Sequence, residues 1–128
     1  MKLLFDTQLL IWAANSPERL PQKAEKLAAD LTNELFFSAA SLWEVSIKYG
    51  LKRADFQVNP RILYQGLIAN GYQEIPVSSF HAVAVNDLPV LHKDPFDRIL
   101  IAQARTEEIT LLTCDTKIGE YSSSIMLV

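Results

Sequence analysis

Short runs of consecutive hydrophobic residues alternate along this chain with longer segments in which hydrophobic residues recur every three or four positions. The runs are typical of strands buried on both faces, and the three-to-four spacing is typical of helices with one buried face. The strand pattern occurs in KLLF at 2–5, LFFSA at 35–39, EIPV at 74–77, TLLTC at 110–114 and IMLV at 125–128. Because strands and helices alternate, we expect a mainly parallel sheet with right-handed crossovers.

The helical segments have recognisable starts. Asn59-Pro60 and Asp94-Pro95 each place proline in a first helical turn, where its fixed φ is favourable. A third helix follows the second strand, from about Ser41 to Leu51. A chain of 128 residues is long enough for one hydrophobic core and short for two domains. We therefore expect a single α/β domain over residues 1–128, with three α/β/α layers.

Composition and charge narrow the class of protein. Hydrophobic residues make up 49% of the chain and charged residues 21%, the balance of a compact globular protein. The net charge of −3 argues against a protein that binds nucleic acid through a basic face alone, but it suits a site that gathers carboxylates around metal ions. The apolar stretch around Asp6 is too short to span a bilayer, so we expect no membrane segment.

The chain has one cysteine, Cys114, which excludes an internal disulfide. No cluster of cysteines and histidines offers zinc ligands, so we expect a protein of the reducing cytoplasm. The apolar residues before Cys114 predict a buried, unreactive thiol.

Four acidic residues fall at one edge of the predicted sheet. Asp6 and Asp115 each follow a strand, and Glu44 and Asp97 lie near the starts of helices. The functional crevice of an open parallel sheet lies beyond the carboxyl ends of its strands, so we expect these residues to converge. Carboxylates held close together must be neutralised, and their oxygen atoms suit Mg²⁺ or Mn²⁺. The pattern predicts a metal site that activates water for attack on a phosphate.

Each acid also has an ordinary structural explanation. Ser41 and Glu44 match the S-x-x-E capping box. The dipole of the following helix would favour the negative charge of Asp97 in its first turn. Asp6 and Asp115 suit the N-caps of the helices that follow them. Four independent caps, however, would need no shared location in the sheet. The shared edge favours a chemical site.

Four motifs carry a resemblance to a known family: Asp6-Thr7, SLWEVSIK at 41–48, HKDPFDR at 92–98 and TCD at 113–115. In their order and spacing they resemble the PIN-domain nucleases, and among these the VapC toxins of toxin–antitoxin pairs. The resemblance implies a Mg²⁺- or Mn²⁺-dependent endoribonuclease, commonly a homodimer, that a VapB-like antitoxin restrains. On this resemblance the catalytic and metal-binding residues are Asp6, Glu44, Asp97 and Asp115. The resemblance also prefers Asp97 to Asp94, because the third acid of the family precedes the alanine-rich helical face by the spacing seen here from Asp97 to Ala102 and Ala104.

Residues beside these motifs have supporting roles in this hypothesis. The hydroxyl groups of Thr7 and Thr113 would orient neighbouring carboxylates, and Asp94 would cap its helix or stand just outside the metal site. We expect three basic residues to contact RNA phosphates: Lys48, Lys93 and Arg98. Two alternatives remain open, a non-catalytic module whose acidic pocket binds a basic partner segment and a nuclease acting on DNA or flap substrates.

Overall fold

The computed structural model describes residues 1–121 and 124–128, and the strands within them form one five-stranded sheet. These strands are β1 (Lys2–Phe5), β2 (Glu34–Ser38), β3 (Gln73–Ile75), β4 (Thr110–Thr113) and β5 (Ile125–Leu127). Their order across the sheet is β3-β2-β1-β4-β5, and each neighbouring pair runs parallel. The expected parallel sheet is confirmed, with β1 at its centre.

Helices of the described residues connect these strands. They are α1 (Thr7–Asn15), α2 (Gln22–Ala29), α3 (Ala39–Gly50), α4 (Pro60–Ala69), α5 (Ser79–Ala84), α6 (Pro95–Thr106) and α7 (Thr116–Gly119), with 3₁₀ turns at Pro17–Arg19 and Val85–Asp87. The prolines predicted to open helices do so in α4 and α6, where the Asn59 and Asp94 side chains accept from free backbone N–H groups. No helix in this part of the chain has the length and apolar composition needed to cross a membrane.

The hydrophobic residues form two clusters, one on each face of the sheet. Leu3, Leu4 and Phe5 in the central strand are fully buried. Leu4 packs in a cluster that includes Leu100 and Ile101 of α6. Leu3 and Phe5 point to the other face, where their cluster includes side chains from α1, α3 and α4. Helices on both faces explain the unbroken hydrophobic runs and give the predicted α/β/α layers.

The strand order places a crevice beside β1. The chain builds β2 and β3 on one side of β1 and then crosses to add β4 and β5 on the other. Connections leave β1 and β4 toward opposite sides, so a crevice opens beyond their carboxyl ends. Asp6 directly follows β1, and Asp115 lies two residues after the end of β4.

Replacing a core leucine should test the packing at the centre of the sheet. Leu4→Ala removes a fully buried side chain, so we expect the free energy of unfolding to fall by about 2 to 5 kcal/mol in urea denaturation. The matched control is Leu31→Ala, because Leu31 is 98% exposed. This variant should stay within about 0.5 kcal/mol of the wild type. Equal losses for the two variants would contradict the assignment of Leu4 to the core.

Candidate active site

A pocket of about 370 Å³ lies at the crevice beyond β1 and β4. It is lined by Asp6, Thr7, Gln8, Ile11, Glu44, Lys48, Phe56, Asp94, Asp97, Cys114, Asp115 and Ile118. All four acidic residues proposed from the sequence are among them. The structure thus brings Asp6, Glu44, Asp97 and Asp115 together from four separate parts of the chain.

Asp6 is the most buried of the four acids, with 5% of its surface exposed. It is the N-cap of α1, and its Oδ1 accepts from the backbone N–H of Leu9 at 2.8 Å. Its Oδ2 accepts from the hydroxyl of Thr113 at 2.6 Å, across the boundary between β1 and β4. Burial outweighs both hydrogen bonds and raises the pKa of Asp6 to about 6. Asp6 therefore does cap α1, but capping alone does not require the carboxylate to be buried.

Glu44 lies inside α3 and not at its start. Helix α3 begins at Ala39 with Ser38 as its N-cap, so the alternative explanation of Ser41 and Glu44 as a capping box does not apply. The local reason is that the Ser38 hydroxyl already accepts from the N–H of Ala40. Glu44 instead accepts from the Lys48 ammonium at 2.8 Å through Oε2. Its Oε1 is buried and has no hydrogen-bond partner among the described residues. Such an oxygen is costly unless something else binds it.

Asp97 lies in the first turn of α6, where the helix dipole favours a negative charge. Its Oδ2 is 2.7 Å from Nε2 of His92. Burial raises the pKa of Asp97 above its ordinary value, and the charges of Asp94 and Glu44 add to the rise, while His92 opposes it. Asp94 is the N-cap of α6, and its Oδ1 accepts from the N–H groups of Phe96 and Asp97. The expected capping role of Asp94 is thus present.

Asp115 completes the group at the end of β4. It is partly exposed and is the N-cap of α7, with Oδ1 accepting from the N–H of Lys117 at 2.9 Å. Its backbone N–H donates to the Thr113 hydroxyl at 3.0 Å. The same hydroxyl donates to Asp6, so one threonine fixes the positions of two acids.

The four acids act on one another electrostatically. The charges of Asp97 and Asp115 each contribute to the raised pKa of Asp6, and Glu44 does the same to Asp97. The repulsion therefore links all four residues into one group. Hard oxygen donors, an unpaired buried carboxylate oxygen and mutual repulsion are together what a divalent cation would satisfy, so the residues present fit Mg²⁺ or Mn²⁺.

His92 lies beside the pocket and was not among the site residues predicted from the sequence. Its ring nitrogen and carboxylate oxygens of Asp94 and Asp97 all lie within 4.8 Å of one another. The only signal in the sequence was its place in the HKDPFDR motif. A histidine in a loop has no periodicity from which its direction can be read.

The two threonines differ in what they contact. Thr113 orients Asp6 and Asp115, as expected of a hydroxyl beside the carboxylates. Among the described residues, Thr7 makes no side-chain hydrogen bond to an acid, although it lines the same pocket. Its hydroxyl donates to that of Ser41 at 2.9 Å, joining the start of α1 to α3 within the buried interior.

The three basic residues expected to contact RNA lie in different surroundings. Lys48 lines the acidic pocket, half exposed, while Lys93 is exposed and lines a separate apolar groove. Arg98 donates to the carbonyl groups of Val85, Pro89 and His92 and so ties down the loop before α6. Few of its N–H groups are left for phosphate. Contacts of all three with RNA stay predictions.

Cys114 lies in the pocket and not in the core. The expectation of a buried thiol is wrong, because β4 ends at Thr113 and the next residue is exposed. Partial desolvation, and then the charges of Asp6 and Asp115, raise the pKa of the thiol. This keeps the thiol protonated and a poor nucleophile.

Comparison with known proteins gives a family and a fold. The family model for the PIN domain matches residues 3–123. No curated protein matches the chain. A chain of VapBC2 from Rickettsia felis, solved bound to a DNA fragment from their promoter, has a TM-score of 0.72 at 21% identity, with 100% of this chain and 98% of that chain covered.

Two further solved structures share the fold. A chain from a toxin–antitoxin complex of Klebsiella pneumoniae has a TM-score of 0.65 at 21% identity, with 97% and 95% of the two chains covered. A chain of VapBC-1 from nontypeable Haemophilus influenzae has a TM-score of 0.63 at 16% identity, with 94% and 91% covered. At these identities the likeness establishes the fold.

The buried Asp6 predicts a dependence of stability on pH in the metal-free protein. A carboxyl group whose pKa rises from 3.8 to about 6 on folding contributes stability below pH 3.8 that is lost as the pH rises through 6. The full loss corresponds to about 3 kcal/mol. Asp6→Asn keeps the N-cap acceptor without the charge. In urea denaturation with EDTA, Asp6→Asn should therefore gain stability relative to the wild type between pH 4 and pH 7. A difference that stays constant or shrinks over this range would contradict the assignment.

Proposed function

Because the chain belongs to the PIN domain family, a family of nucleases, we propose that it is a divalent-metal-dependent endoribonuclease and the toxin of a toxin–antitoxin pair. The observation that carries the proposal is the single pocket in which four carboxylates from distant elements repel one another. A fold that needed these residues only as caps would gain nothing by gathering them. Mutual repulsion is a cost that a bound cation removes.

Asp6, Glu44, Asp97 and Asp115 would hold the cation, which we propose to be Mg²⁺ or Mn²⁺. When bound, the ion supplies Lewis acidity, which makes water a better nucleophile and stabilises charge on a phosphate. Asp6 is held on both oxygens, by Leu9 and Thr113, so its orientation is fixed before anything binds. Because the Asp6 carboxylate is oriented in advance, it does not have to be ordered during the reaction.

Lys48 is the basic residue best placed to meet an RNA phosphate at the pocket. Its ammonium pairs with Glu44 at 2.8 Å and lies 5.9 Å from the centre of the Phe56 ring, and all three residues line the pocket. With Glu44 engaged in cation binding, the Lys48 ammonium would be available to a phosphate. Lys93, on the exposed loop before α6, would contact the RNA further from the acids.

The partners we propose follow from the structural neighbours. The solved chains that share the fold come from VapBC and toxin–antitoxin complexes. We therefore propose a VapB-like antitoxin as the protein partner of this chain and a homodimer as its own assembly. Light scattering of the purified chain, alone and with the product of an adjoining small reading frame, tests both parts.

Neutralising single acids should abolish RNA cleavage without unfolding the protein. We expect Asp6→Asn and Asp97→Asn to lower the cleavage rate with Mg²⁺ or Mn²⁺ by at least about 100-fold, because several kcal/mol of charge stabilisation would be lost. The control is Asp87→Asn, since Asp87 is exposed and outside the pocket. Rates are measured on the antitoxin-free protein with single-stranded RNA. If both site variants cleave as fast as the control, the assignment of the acids fails.

A bound cation should also stabilise the fold, independently of any activity. A ligand present at 100 times its dissociation constant raises the free energy of unfolding by about 2.7 kcal/mol. We expect Mn²⁺ to raise the melting temperature of the wild type, EDTA to reverse the rise, and Glu44→Gln to reduce it. The substitution removes one negative charge and keeps the length of the side chain.

The response to Mn²⁺ also distinguishes the ribonuclease from the second candidate function, a module that binds a basic partner segment. The Lys48–Glu44 pair favours this reading to the extent that an ammonium group already satisfies one of these carboxylates. A protein that ignores Mn²⁺ but binds a lysine-rich peptide in calorimetry would support the module. Stabilisation by Mn²⁺ together with cleavage of RNA, and not of DNA or flap substrates, would support the ribonuclease.

A further inference from the structure

The His92 ring makes a direct contact with one of the four acids. Its Nε2 lies 2.7 Å from Oδ2 of Asp97, within the range of a short charge-assisted hydrogen bond. An ionised carboxylate can only accept, so Nε2 carries the proton and the ring donates. Among the described residues, His92 is the one hydrogen-bond donor to this side chain. Asp94 stands nearby but is used as the cap of α6.

The backbone of His92 is itself anchored to the helix that carries Asp97. The His92 carbonyl accepts from the Tyr121 hydroxyl at 3.1 Å and from the Arg98 guanidinium at 3.4 Å. Arg98 follows Asp97 in α6, and it also donates to the carbonyl of Pro89 at 2.9 Å. These hydrogen bonds hold the loop before α6 against α6. The His92 ring and the Asp97 carboxylate are therefore fixed relative to each other.

Without this hydrogen bond, electrostatic repulsion would favour an orientation of the Asp97 carboxylate that points away from the pocket. The charges of Glu44 and Asp94 both repel it. An aspartate side chain has two rotatable bonds, and its orientation is set by whatever donates to it. One donor that fixes Oδ2 leaves Oδ1 with its lone pairs free. This is how hydrogen-bond partners outside a metal site commonly orient the carboxylates within it.

We propose that His92 is a positioning residue that holds Asp97 for cation binding by donating Nε2–H to Oδ2. The role rests on the proposed function, because it needs Asp97 to bind the cation. His92 acts through Asp97 and does not contact the substrate. Its loss therefore weakens cation binding more than it slows the reaction once the cation is bound.

The test compares two substitutions that differ in their ability to donate. His92→Ala removes the donor, and we expect the dissociation constant for Mn²⁺ in calorimetry to rise about 10- to 100-fold. His92→Gln places an amide N–H at nearly the same reach, and it should bring the constant back to within a few-fold of the wild type. RNA cleavage by His92→Ala should need more Mn²⁺ but approach the wild-type rate at saturation. A purely structural role would not give this separation.

The controls keep the result interpretable. The His92 ring lies outside both hydrophobic clusters, so melting in EDTA should match the wild type for both variants. Val90→Ala, at an 80% exposed position of the same loop, should keep the wild-type affinity for Mn²⁺. Wild-type affinity in His92→Ala, or equal losses in His92→Ala and His92→Gln, would overturn the role of His92 alone. A wild-type protein that binds no Mn²⁺ would instead overturn the metal site, and the role of His92 with it.

Discussion

The carboxylate of Asp6 is buried at the end of the central strand, and the arrangement of the site depends on how the fold holds it there. Leu3, Leu4 and Phe5 are packed on both faces of the sheet, which fixes where the next residue must lie. A charge at this position is expensive, as its raised pKa shows. The fold offsets part of the cost with two hydrogen bonds, one from Leu9 and one from Thr113. The second of these also fixes β4 and Asp115 relative to β1.

The other two acids come from helices that approach the same crevice from different directions. Glu44 is carried by α3, which follows β2, and Asp97 by α6, which precedes β4. Each depends on a basic or imidazole side chain close by, Lys48 for Glu44 and His92 for Asp97. The two neighbours differ in kind. A lysine on a flexible stem can leave its carboxylate, whereas a ring anchored through its backbone cannot move far.

Much of the fold could be predicted from the sequence because strand and helix positions depend on local chemistry. The runs of buried residues located the five strands to within one or two residues, and Pro60 and Pro95 marked two helix starts. Asp6 and Asp115 were placed at strand ends by the same patterns. Glu44 was assigned correctly to α3, but the start of this helix was expected near Ser41, since Ser38 and Ser41 are equally good caps by type. Only the observed backbone shows that Ser38 is used.

The positions of side chains in loops could not be predicted in this way. No periodicity gives the direction of His92, which depends on contacts of Arg98 and Tyr121 with the loop backbone. Arg98 lies in α6 and was expected to contact RNA, because a sequence shows a charge but not the carbonyl groups that surround it. Cys114 was misplaced because the strand ends one residue earlier than its apolar pattern suggests.

The charge of the chain bears on how it would meet an anionic substrate. The net charge is −3, and five carboxylates line the pocket with one lysine among them, so the pocket by itself repels phosphate. Under the proposed function, a divalent cation therefore has two effects that cannot be separated, because the charge that assists the chemistry is also the charge that admits the substrate. Attraction then arises only at the loaded pocket and not over a broad basic face. Affinity for RNA would follow the occupancy of the metal site and would depend weakly on salt, since few lysine and arginine contacts contribute to it.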